Sequence, residues 1–578
     1  MADTTDTRRG MRRGLTAYGD EEFSLFLRTA FIKAMGYSDD ALARPIIGIT
    51  NTFSGYNACH RNAPEIVEAV KRGVMLAGGL PIEFPMISLH ESFAHPTSMF
   101  LRNLMAMDAE EMIRAQPMDA AVLIGGCDKT VPALLMGAAS AGVPAIMEVT
   151  GPMSTGDHKG ERLGACTDCR RFWARFRAGD IDAAEINEVN AKLAPTAGTC
   201  MVMGTASTMA LCAEAMGMML PGGAAIPAVH AERLRHAEAT GARAVGIAAE
   251  KLTPERVMTP EAIENALRVL LAVGGSTNAI VHLAAIAGRL GIEIDLDGFD
   301  RLGRDTPMLV DLKPTGQGYM EDLYHAGGLV TVLREIRGLL HLDALTVTGR
   351  TLGQNIADAA PGWAQSVVRP ASDPVYAKDA MVVLRGNLAP DGAVLKQCAA
   401  LQTLLVHTGR AVVFESLEDL ARRIDDPDLD VNADDVLVLQ NAGPKGAPGM
   451  PEAGYLPIPK KLAAKGVKDM VRISDARMSG TAFGTIILHV TPESAVGGPL
   501  ALVNTGDMIA LDAPRRRLEL MVSAGELEAR RRAWRPRAHA AADLRGYRKL
   551  YLDTVQQADR GCDFEFLAAP ARARIPAR

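Results

Sequence analysis

The sequence has no long hydrophobic run and no strong excess of charge of either sign. No apolar stretch approaches the ~20 residues that a membrane-spanning helix needs, and the opening MADTTDTRRGMRRG lacks the apolar core of a secretory signal. The formal net charge is only -6, and basic residues are interspersed with acidic ones, unlike the basic face that binds nucleic-acid phosphates. These absences predict a cytoplasmic protein with neither nucleic-acid nor membrane partners.

Cysteine is also scarce. Eight cysteines in 578 residues are too few for a disulfide-stabilised scaffold. In a reducing compartment each is therefore a buried small residue, a reactive thiol or a metal ligand. The length and the 48% hydrophobic content are typical of a globular protein with more than one domain.

From Pro45 to about Leu290 the sequence is typical of βα units around parallel strands. Short apolar runs alternate with Gly-rich or polar loops and helix-like stretches. Three such loops contain a cysteine: Cys59 in NACHRN, Cys127 in GGCDKT and Cys200 in TAGTC. Because the carboxyl ends of parallel strands meet in one crevice, we expect these three thiols to lie together.

Two further patterns fix the predicted organisation. The strand-like LPIEFPMI from Leu80 places Glu91 just beyond its end. After Val375 the sequence changes to short β-like runs between turn signals, which predicts a second, largely β domain. We therefore predict an α/β fold with an amino-terminal domain over 1–375 and a β-rich domain over 376–578, ending in a terminal helix.

The GGCDKT loop combines a thiol, a carboxylate and an amine. Iron-sulfur clusters are usually held by four thiolates, so a site with three leaves an iron position free to act as a Lewis acid. The carboxylate of Asp128 points to a second, hard cation, because Mg²⁺ prefers oxygen ligands. Taken alone, Lys129 is better explained by an ordinary ion pair with Asp128.

Six segments resemble motifs of the dihydroxy-acid and sugar-acid dehydratase family, which also contains phosphogluconate dehydratase. They occur in the family's order and cover nearly the whole chain. The segments are CHRNAPE, ESFAHPTSM, GGCDKTVPA, GTCMVMGTASTM, GPKGAPGMPE and SDARMSGTAFG. The resemblance implies an α/β amino-terminal domain, a swivelling β-barrel-like carboxy-terminal domain, and a homodimer or homotetramer.

The same resemblance implies two cofactors, a [2Fe-2S] cluster and Mg²⁺. The implied cluster ligands are Cys59, Cys127 and Cys200. The implied Mg²⁺ ligands are Glu91, Asp128, Lys129 as its carbamate, and Glu452. Because a lysine must lose its proton to react with CO₂, we expect neighbouring cations to lower the pKa of Lys129.

The segment SDARMSGTAFG carries the implied catalytic residues. Ser479 is the implied base for the C2 proton of a 2,3-dihydroxy acid, and Thr481 lies close to the substrate. Read without the resemblance, SGTAFG is better explained as a turn between strands. The implied product is a 2-keto-3-deoxy acid.

The implied substrate is a sugar acid, because SDARMSGTAFG and the ending RGYRKLYLDTVQQADRGCDFEFL are more similar to arabinonate and xylonate dehydratases. Dehydration of 2,3-dihydroxyisovalerate is the alternative, and phosphogluconate is disfavoured because no extra basic cluster offers itself to a phosphate. A third hypothesis is a non-catalytic redox sensor in which a fourth cysteine completes the cluster's ligands. This sensor hypothesis assigns no function to the carboxylates or to Lys129.

The remaining cysteines and the nearby histidines are assigned structural roles. Cys166 and Cys169 form a CxxC motif without a second CxxC, so a structural or incidental role is expected rather than a zinc or redox site. The expected buried small residues are Cys212, Cys398 and Cys562. The expected hydrogen-bonded loop histidines are His60, His90 and His95.

Overall fold

The computed structural model describes residues 9–15, 17–537 and 544–576. The expected α/β fold is confirmed, with a parallel sheet in the amino-terminal part and a closed barrel in the carboxy-terminal part. None of the helices in the described part of the chain combines the length and apolarity needed to cross a membrane.

Four parallel strands form the central sheet of the amino-terminal part. They are β1 (Ile46–Asn51), β2 (Leu80–Pro85), β3 (Ala120–Gly125) and β4 (Ala145–Val149). Their spatial order is β2-β1-β3-β4, with parallel pairing throughout. Every residue of β3 and β4 is buried, as expected for strands covered on both faces.

Helices surround this sheet and extend well beyond it. They are α1 (Glu21–Lys33), α2 (Asp39–Leu42), α3 (Ala63–Leu76), α4 (Ser98–Ala115), α5 (Thr130–Ala141), α6 (Thr167–Ala178), α7 (Ala183–Lys192), α8 (Thr205–Ala215), α9 (Ala231–Glu250), α10 (Pro254–Val257), α11 (Pro260–Ala272), α12 (Asn278–Arg289), α13 (Leu296–Asp305), α14 (Met320–His325), α15 (Leu329–Glu335) and α16 (Leu352–Asp358). The short strands of this part are β5 (Gly156–His158), β6 (Glu161–Leu163) and β7 (Ile292–Ile294). Helix α3 begins at Ala63, and Pro64 occupies its first turn, where proline costs no backbone hydrogen bond.

The carboxy-terminal part is a closed eight-stranded barrel. Its strands are β8 (Val382–Gly386), β9 (Ala389–Leu395), β10 (Val406–Phe414), β11 (Val436–Leu439), β12 (Arg472–Ser474), β13 (Ile486–Thr491), β14 (Met508–Asp512) and β15 (Arg517–Leu520). The order around the barrel is β10-β11-β12-β13-β9-β8-β15-β14. Alternate residues of these strands, including Leu384, Val438 and Ile487, fill its interior. The domain boundary at 375/376 stays a prediction.

The end of the chain returns to the amino-terminal part. Two short helices, α17 (Leu417–Arg423) and α18 (Lys460–Ala463), lie between barrel strands. After the barrel come α19 (Ala524–Ala533), α20 (Gly546–Thr554) and β16 (Ala573–Ile575). In α20, the ring centroids of Tyr547 and Tyr551 lie 4.9 and 4.8 Å from the ring centroid of Phe100 in α4. Strand β16 then pairs in parallel with β7. The predicted carboxy-terminal helix is therefore followed by a strand.

Two glycines let α3 and α9 cross with their backbones in contact. A methyl group on Gly73 would overlap the carbonyl oxygen of Glu238, and one on Gly241 would overlap that of Val70. We expect Gly73→Ala to destabilise the protein by about 1–3 kcal/mol, because the two helices must separate. A lower Tm in calorimetry tests this.

The matched control is Gly288→Ala in α12. A methyl group there meets no atom within 4 Å, so we expect an unchanged or slightly higher Tm. If Gly73→Ala melts no lower than wild type, the close crossing does not depend on glycine.

Candidate active site

The loops that follow β1 and β3 bring two of the predicted cluster cysteines together. Cys59 and Cys127 are both buried. A hydrogen bond with Cys127, followed by burial and by the nearby Cys127, Cys200 and Asp128, raises the pKa of Cys59 well above its ordinary value. The three thiols therefore share one region, which Cys59 and Cys127 reach from strand ends and Cys200 from the loop between α7 and α8.

His60 fastens these two loops to each other. Its Nε2 accepts hydrogen bonds from the backbone N–H groups of Gly126 and Cys127, each at 2.9 Å. Its Nδ1 lies 2.9 Å from the carbonyl oxygen of Thr52, to which it donates in this tautomer. Burial lowers the pKa of His60 to about 4, so the ring is neutral and can serve both roles. The expected hydrogen-bonded loop histidine is confirmed.

The CxxC motif lies beside the third predicted cluster cysteine. Cys166 Sγ is 3.2 Å from Cys200 Sγ, and Cys169 Sγ donates to the carbonyl oxygen of Cys166 at 2.9 Å. A hydrogen bond with Cys169 acts to lower the pKa of Cys166, but the hydrogen bond with Cys200 and burial outweigh it and raise the pKa. Sequence reasoning missed this proximity because the motif's spacing to Cys200 resembles no ligand pattern.

Three carboxylates from separate segments surround the amine of Lys129. We call Glu91, Asp128 and Glu452 the carboxylate cluster. Lys129 Nζ lies 2.6 Å from Asp128 Oδ2, 3.3 Å from Glu91 Oε2 and 3.5 Å from Glu452 Oε1. The structure thus brings all four predicted Mg²⁺ ligands together, with Glu452 supplied by the carboxy-terminal part.

The charge state of Lys129 differs from the expectation. Burial and Arg477 act to lower its pKa, but Asp128, Glu91 and Glu452 outweigh them and raise it. Arg477 acts in the expected direction, but the expectation of a lowered pKa for Lys129 is wrong for this structure. The reason is that three carboxylates lie within ion-pairing distance and only one other cation acts on the amine.

Arg477 joins the two ends of the carboxylate cluster. Its Nη1 donates to Glu452 at 2.6 Å, and its Nη2 donates to Glu91 at 3.1 Å and to Thr97 Oγ1 at 2.8 Å. Thr97 and Ser98, at the start of α4, also donate to Glu91. Burial acts to raise the pKa of Glu91, but Lys129 and Arg477 lower it well below its usual range.

Ser479 follows Arg477 by two residues and is partly exposed. Its Oγ lies 2.8 Å from Thr481 Oγ1. This loop packs against the amino-terminal part: a methyl group on Gly480 would collide with Ser276 and with the backbone nitrogen of Thr205. The predicted catalytic pair therefore sits at the contact between the two parts, in the loop that also carries Arg477.

Two buried histidines near the site were not predicted as functional. The pKa of His282 is lowered by burial and then by nearby cations, including Lys129 and Arg477. Burial and then Arg477 lower the pKa of His489 to about 3. The Nε2 atoms of both rings and the Nε of Arg477 are buried without a hydrogen-bond partner. His282 lies in VGGSTNAIVHLA, and its position in the loop-to-helix pattern was the only available signal.

The remaining histidines and cysteines were expected to have structural roles. His90 Nδ1 accepts from the backbone N–H of Ser92 at 3.2 Å, and burial lowers its pKa. His95 precedes Pro96 in a cis peptide bond. Cys212 and Cys562 are buried, as expected, while Cys398 is only partly buried.

Comparison with known proteins decides the family. Residues 44–355 match the model of the dihydroxy-acid/6-phosphogluconate dehydratase amino-terminal domain, and residues 366–562 match that of the carboxy-terminal domain. The chain belongs to this dehydratase family. The dehydratase is a hydro-lyase, and its predicted site residues occur within the two matched regions.

Its relatives include enzymes named for different acids. It is 49% identical to the L-arabinonate dehydratase of Rhizobium leguminosarum bv. trifolii over 95% of each chain. It is 46% identical to the 6-deoxy-6-sulfo-D-gluconate dehydratase of Pseudomonas putida over 92% of each chain. It is 39% identical to the dihydroxy-acid dehydratase of Acetivibrio thermocellus, covering 93% of this chain and 97% of the relative.

The donor atoms of the site fit both implied cofactors. In the described part of the chain, no three His, Cys, Asp or Glu side chains are already arranged to hold a metal ion. At the carboxylate cluster, the Lys129 ammonium lies where the carboxylates converge. Carboxylate oxygens suit Mg²⁺, and carbamylation would turn the competing ammonium into a further oxygen donor. The thiols of Cys59, Cys127 and Cys200 are of the type that holds an iron-sulfur cluster.

Proposed function

We propose that the dehydratase removes water from a sugar acid, an aldonate with hydroxyls at C2 and C3, and yields the 2-keto-3-deoxy acid. In this proposal Cys59, Cys127 and Cys200 hold a [2Fe-2S] cluster, and the carboxylate cluster with carbamylated Lys129 holds Mg²⁺. Bound there, the two cofactors supply Lewis acidity toward oxygen atoms of the substrate.

One observation carries the proposal. A serine loop and a carboxylate from the barrel meet carboxylates and a lysine from the parallel sheet, and Arg477 links the two sides. A purely structural cluster site has no need for this second, oxygen-rich group. Proton abstraction beside a polarised carboxylic acid does need it, because removing a proton from carbon requires charge stabilisation close to the base.

Ser479 acts as the base in the proposed reaction. Its Oγ, once deprotonated, accepts the C2 proton, while Thr481 Oγ1 at 2.8 Å donates a hydrogen bond that stabilises the serine oxyanion. The C3 hydroxyl leaves with a proton as water, and the enol tautomerises to the 2-keto acid. Arg477, held between Glu91 and Glu452, keeps a positive charge in this region.

The sugar-acid assignment rests on the relatives and on the polarity of the site. Relatives named for sugar acids are 46–49% identical, whereas the dihydroxy-acid dehydratase is 39% identical. The hydroxyls of Ser479 and Thr481 and the carboxylate cluster supply polar groups suited to a hydroxyl-rich substrate. Dehydration of 2,3-dihydroxyisovalerate remains the second candidate, supported by the lower-identity relatives.

The test is an anaerobic incubation of cluster-loaded protein and Mg²⁺ with pentonates, hexonates, glycerate and 2,3-dihydroxyisovalerate. We expect 2-keto acid from a pentonate or hexonate, with kcat/KM at least about tenfold above that for dihydroxyisovalerate. The reason is that a site built to hydrogen-bond substrate hydroxyls rejects an acid that lacks them. The reverse ranking favours the second candidate. No 2-keto acid from any acid, with the cluster intact, favours the sensor hypothesis.

The assembly and location belong to the same proposal. The family resemblance supports a homodimer or homotetramer in the cytoplasm. Light scattering coupled to size-exclusion chromatography measures the assembly directly, and a monomeric mass would contradict it.

A further inference from the structure

The CxxC motif forms a chain of thiols that ends on a predicted cluster ligand. Cys166 lies between two partners, with Cys200 Sγ 3.2 Å from its own Sγ and with Cys169 in hydrogen-bonding contact. Cys166 also has φ 76°, a left-handed backbone conformation that is uncommon for a residue other than glycine. Such strain often marks a functional position.

Cys169 lies at the outer end of this chain. It lines an open cleft with Arg170, Trp173 and Tyr455, between α6 and the barrel loop that carries Glu452. Cys200, at the inner end, belongs to the loop before α8. A small reductant can therefore approach Cys169 from the cleft, and Cys166 connects Cys169 to Cys200.

We propose that Cys166 and Cys169 are a thiol-disulfide exchange pair that protects Cys200 when the dehydratase lacks its cluster. The inference rests on the proposed function only in taking Cys200 as a cluster ligand. Its substrate class is a peroxide as oxidant and a small dithiol as reductant.

The chemistry balances in three steps. Hydrogen peroxide oxidises the Cys200 thiol to a sulfenic acid and leaves as water. The Cys166 sulfur attacks the sulfenic sulfur, a second water leaves, and a Cys166–Cys200 disulfide forms. Cys169 then attacks the Cys166 sulfur, which gives a Cys166–Cys169 disulfide and returns the proton to the Cys200 thiol. A dithiol in the cleft reduces the new disulfide and is itself oxidised.

The position of Cys166 decides between protection and damage. Without a neighbouring thiol, a sulfenic acid is oxidised further to sulfinic acid, which dithiols do not reduce. With Cys166 Sγ in contact, disulfide formation competes with that step. Cys200 thus stays available for a new cluster after oxidative loss of the old one.

The experiment uses full-length protein from which iron has been removed by chelation. It is treated with hydrogen peroxide, alkylated and mapped by mass spectrometry, and a second portion is reduced with dithiothreitol and reconstituted with iron and sulfide. In wild type we expect Cys166–Cys200 or Cys166–Cys169 disulfides and a return of cluster absorbance. In Cys166→Ala we expect about fivefold more sulfinic acid at Cys200 and a matching loss of reconstitution.

Further variants keep the result interpretable. Cys169→Ser should accumulate the Cys166–Cys200 disulfide, and Cys398→Ala, which removes a thiol from the barrel, should behave as wild type. Cys166→Ser replaces Cys166→Ala if the latter does not fold. A disulfide between Cys59 and Cys127 only, or equal sulfinic acid at Cys200 in wild type and Cys166→Ala, overturns the inference. The experiment measures peptide masses and cluster absorbance, not turnover. A failure of this inference can therefore be told apart from a failure of the proposed aldonate reaction.

Discussion

Replacing Ser479 with alanine is expected to lower kcat by about two to four orders of magnitude, the usual contribution of a general base. The substitution removes the oxygen that accepts the C2 proton and leaves the carboxylate cluster and the thiols untouched. We therefore expect unchanged cluster absorbance and Mg²⁺ affinity. Anaerobic steady-state kinetics on the preferred aldonate, with Mn²⁺ binding measured by electron paramagnetic resonance, test both parts.

Two controls sharpen this prediction. Thr481→Val removes the hydrogen bond to Ser479 Oγ but keeps the base, so we expect a smaller loss of kcat, about tenfold. Ser523→Ala removes the side-chain cap of α19, which follows the barrel strands, and should cost about 1 kcal/mol of stability without changing kcat. If Ser479→Ala retains full turnover, another group is the base. The sensor hypothesis predicts that every function of Ser479→Ala is intact.

The second large effect is expected at Arg477. Its guanidinium binds Glu91 and Glu452 at once, so it joins carboxylates from the two parts of the chain. Arg477→Lys keeps the charge, but one ammonium does not reproduce the planar fork that reaches both groups. We expect Mn²⁺ affinity to fall by about tenfold or more. We expect kcat/KM to fall by about 10²-fold, because a small displacement of groups in an active site lowers the rate by about that factor.

Arg289→Lys is the matched control. Arg289 is also buried and also bridges two carboxylates, Glu110 and Asp563, but contacts no residue of the carboxylate cluster. It should lower Tm while leaving Mn²⁺ affinity unchanged. If Arg477→Lys binds Mn²⁺ as wild type does, Arg477 acts only as a counter-charge. Arg477→Met then tests that reading, because losing a nearby positive charge should strengthen cation binding.

Local sequence patterns predicted the elements and the loop positions well. The strand-to-helix transitions at Cys59 and Cys127 follow from apolar runs, glycines and helix-start prolines, all of which act over a few residues. The gathering of the loops at the ends of parallel strands follows from the topology. The elements and loop positions depend on interactions between residues close in the sequence, so they can be predicted from it.

The contacts that the sequence could not reveal join distant segments. Arg477 stands inside a recognised motif, yet its partner Glu91 is 386 residues away. The Cys166–Cys200 contact depends on the backbone conformation of Cys166, which no local pattern indicates. The raised pKa of Lys129 results from Asp128, then Glu91 and then Glu452, and the last two belong to distant segments.

The return of the chain to its starting domain constrains how the protein is made. Strand β16 completes its pairing with β7, and α20 covers α4, only after the whole barrel has been synthesised. On the ribosome, Ile292 therefore waits for Ala573 while about 280 residues emerge, and Phe100 waits for Tyr547 while about 450 emerge, at roughly 5–20 residues per second. In the sequence, the barrel strands therefore lie between a long first segment and a short last segment that pack against each other.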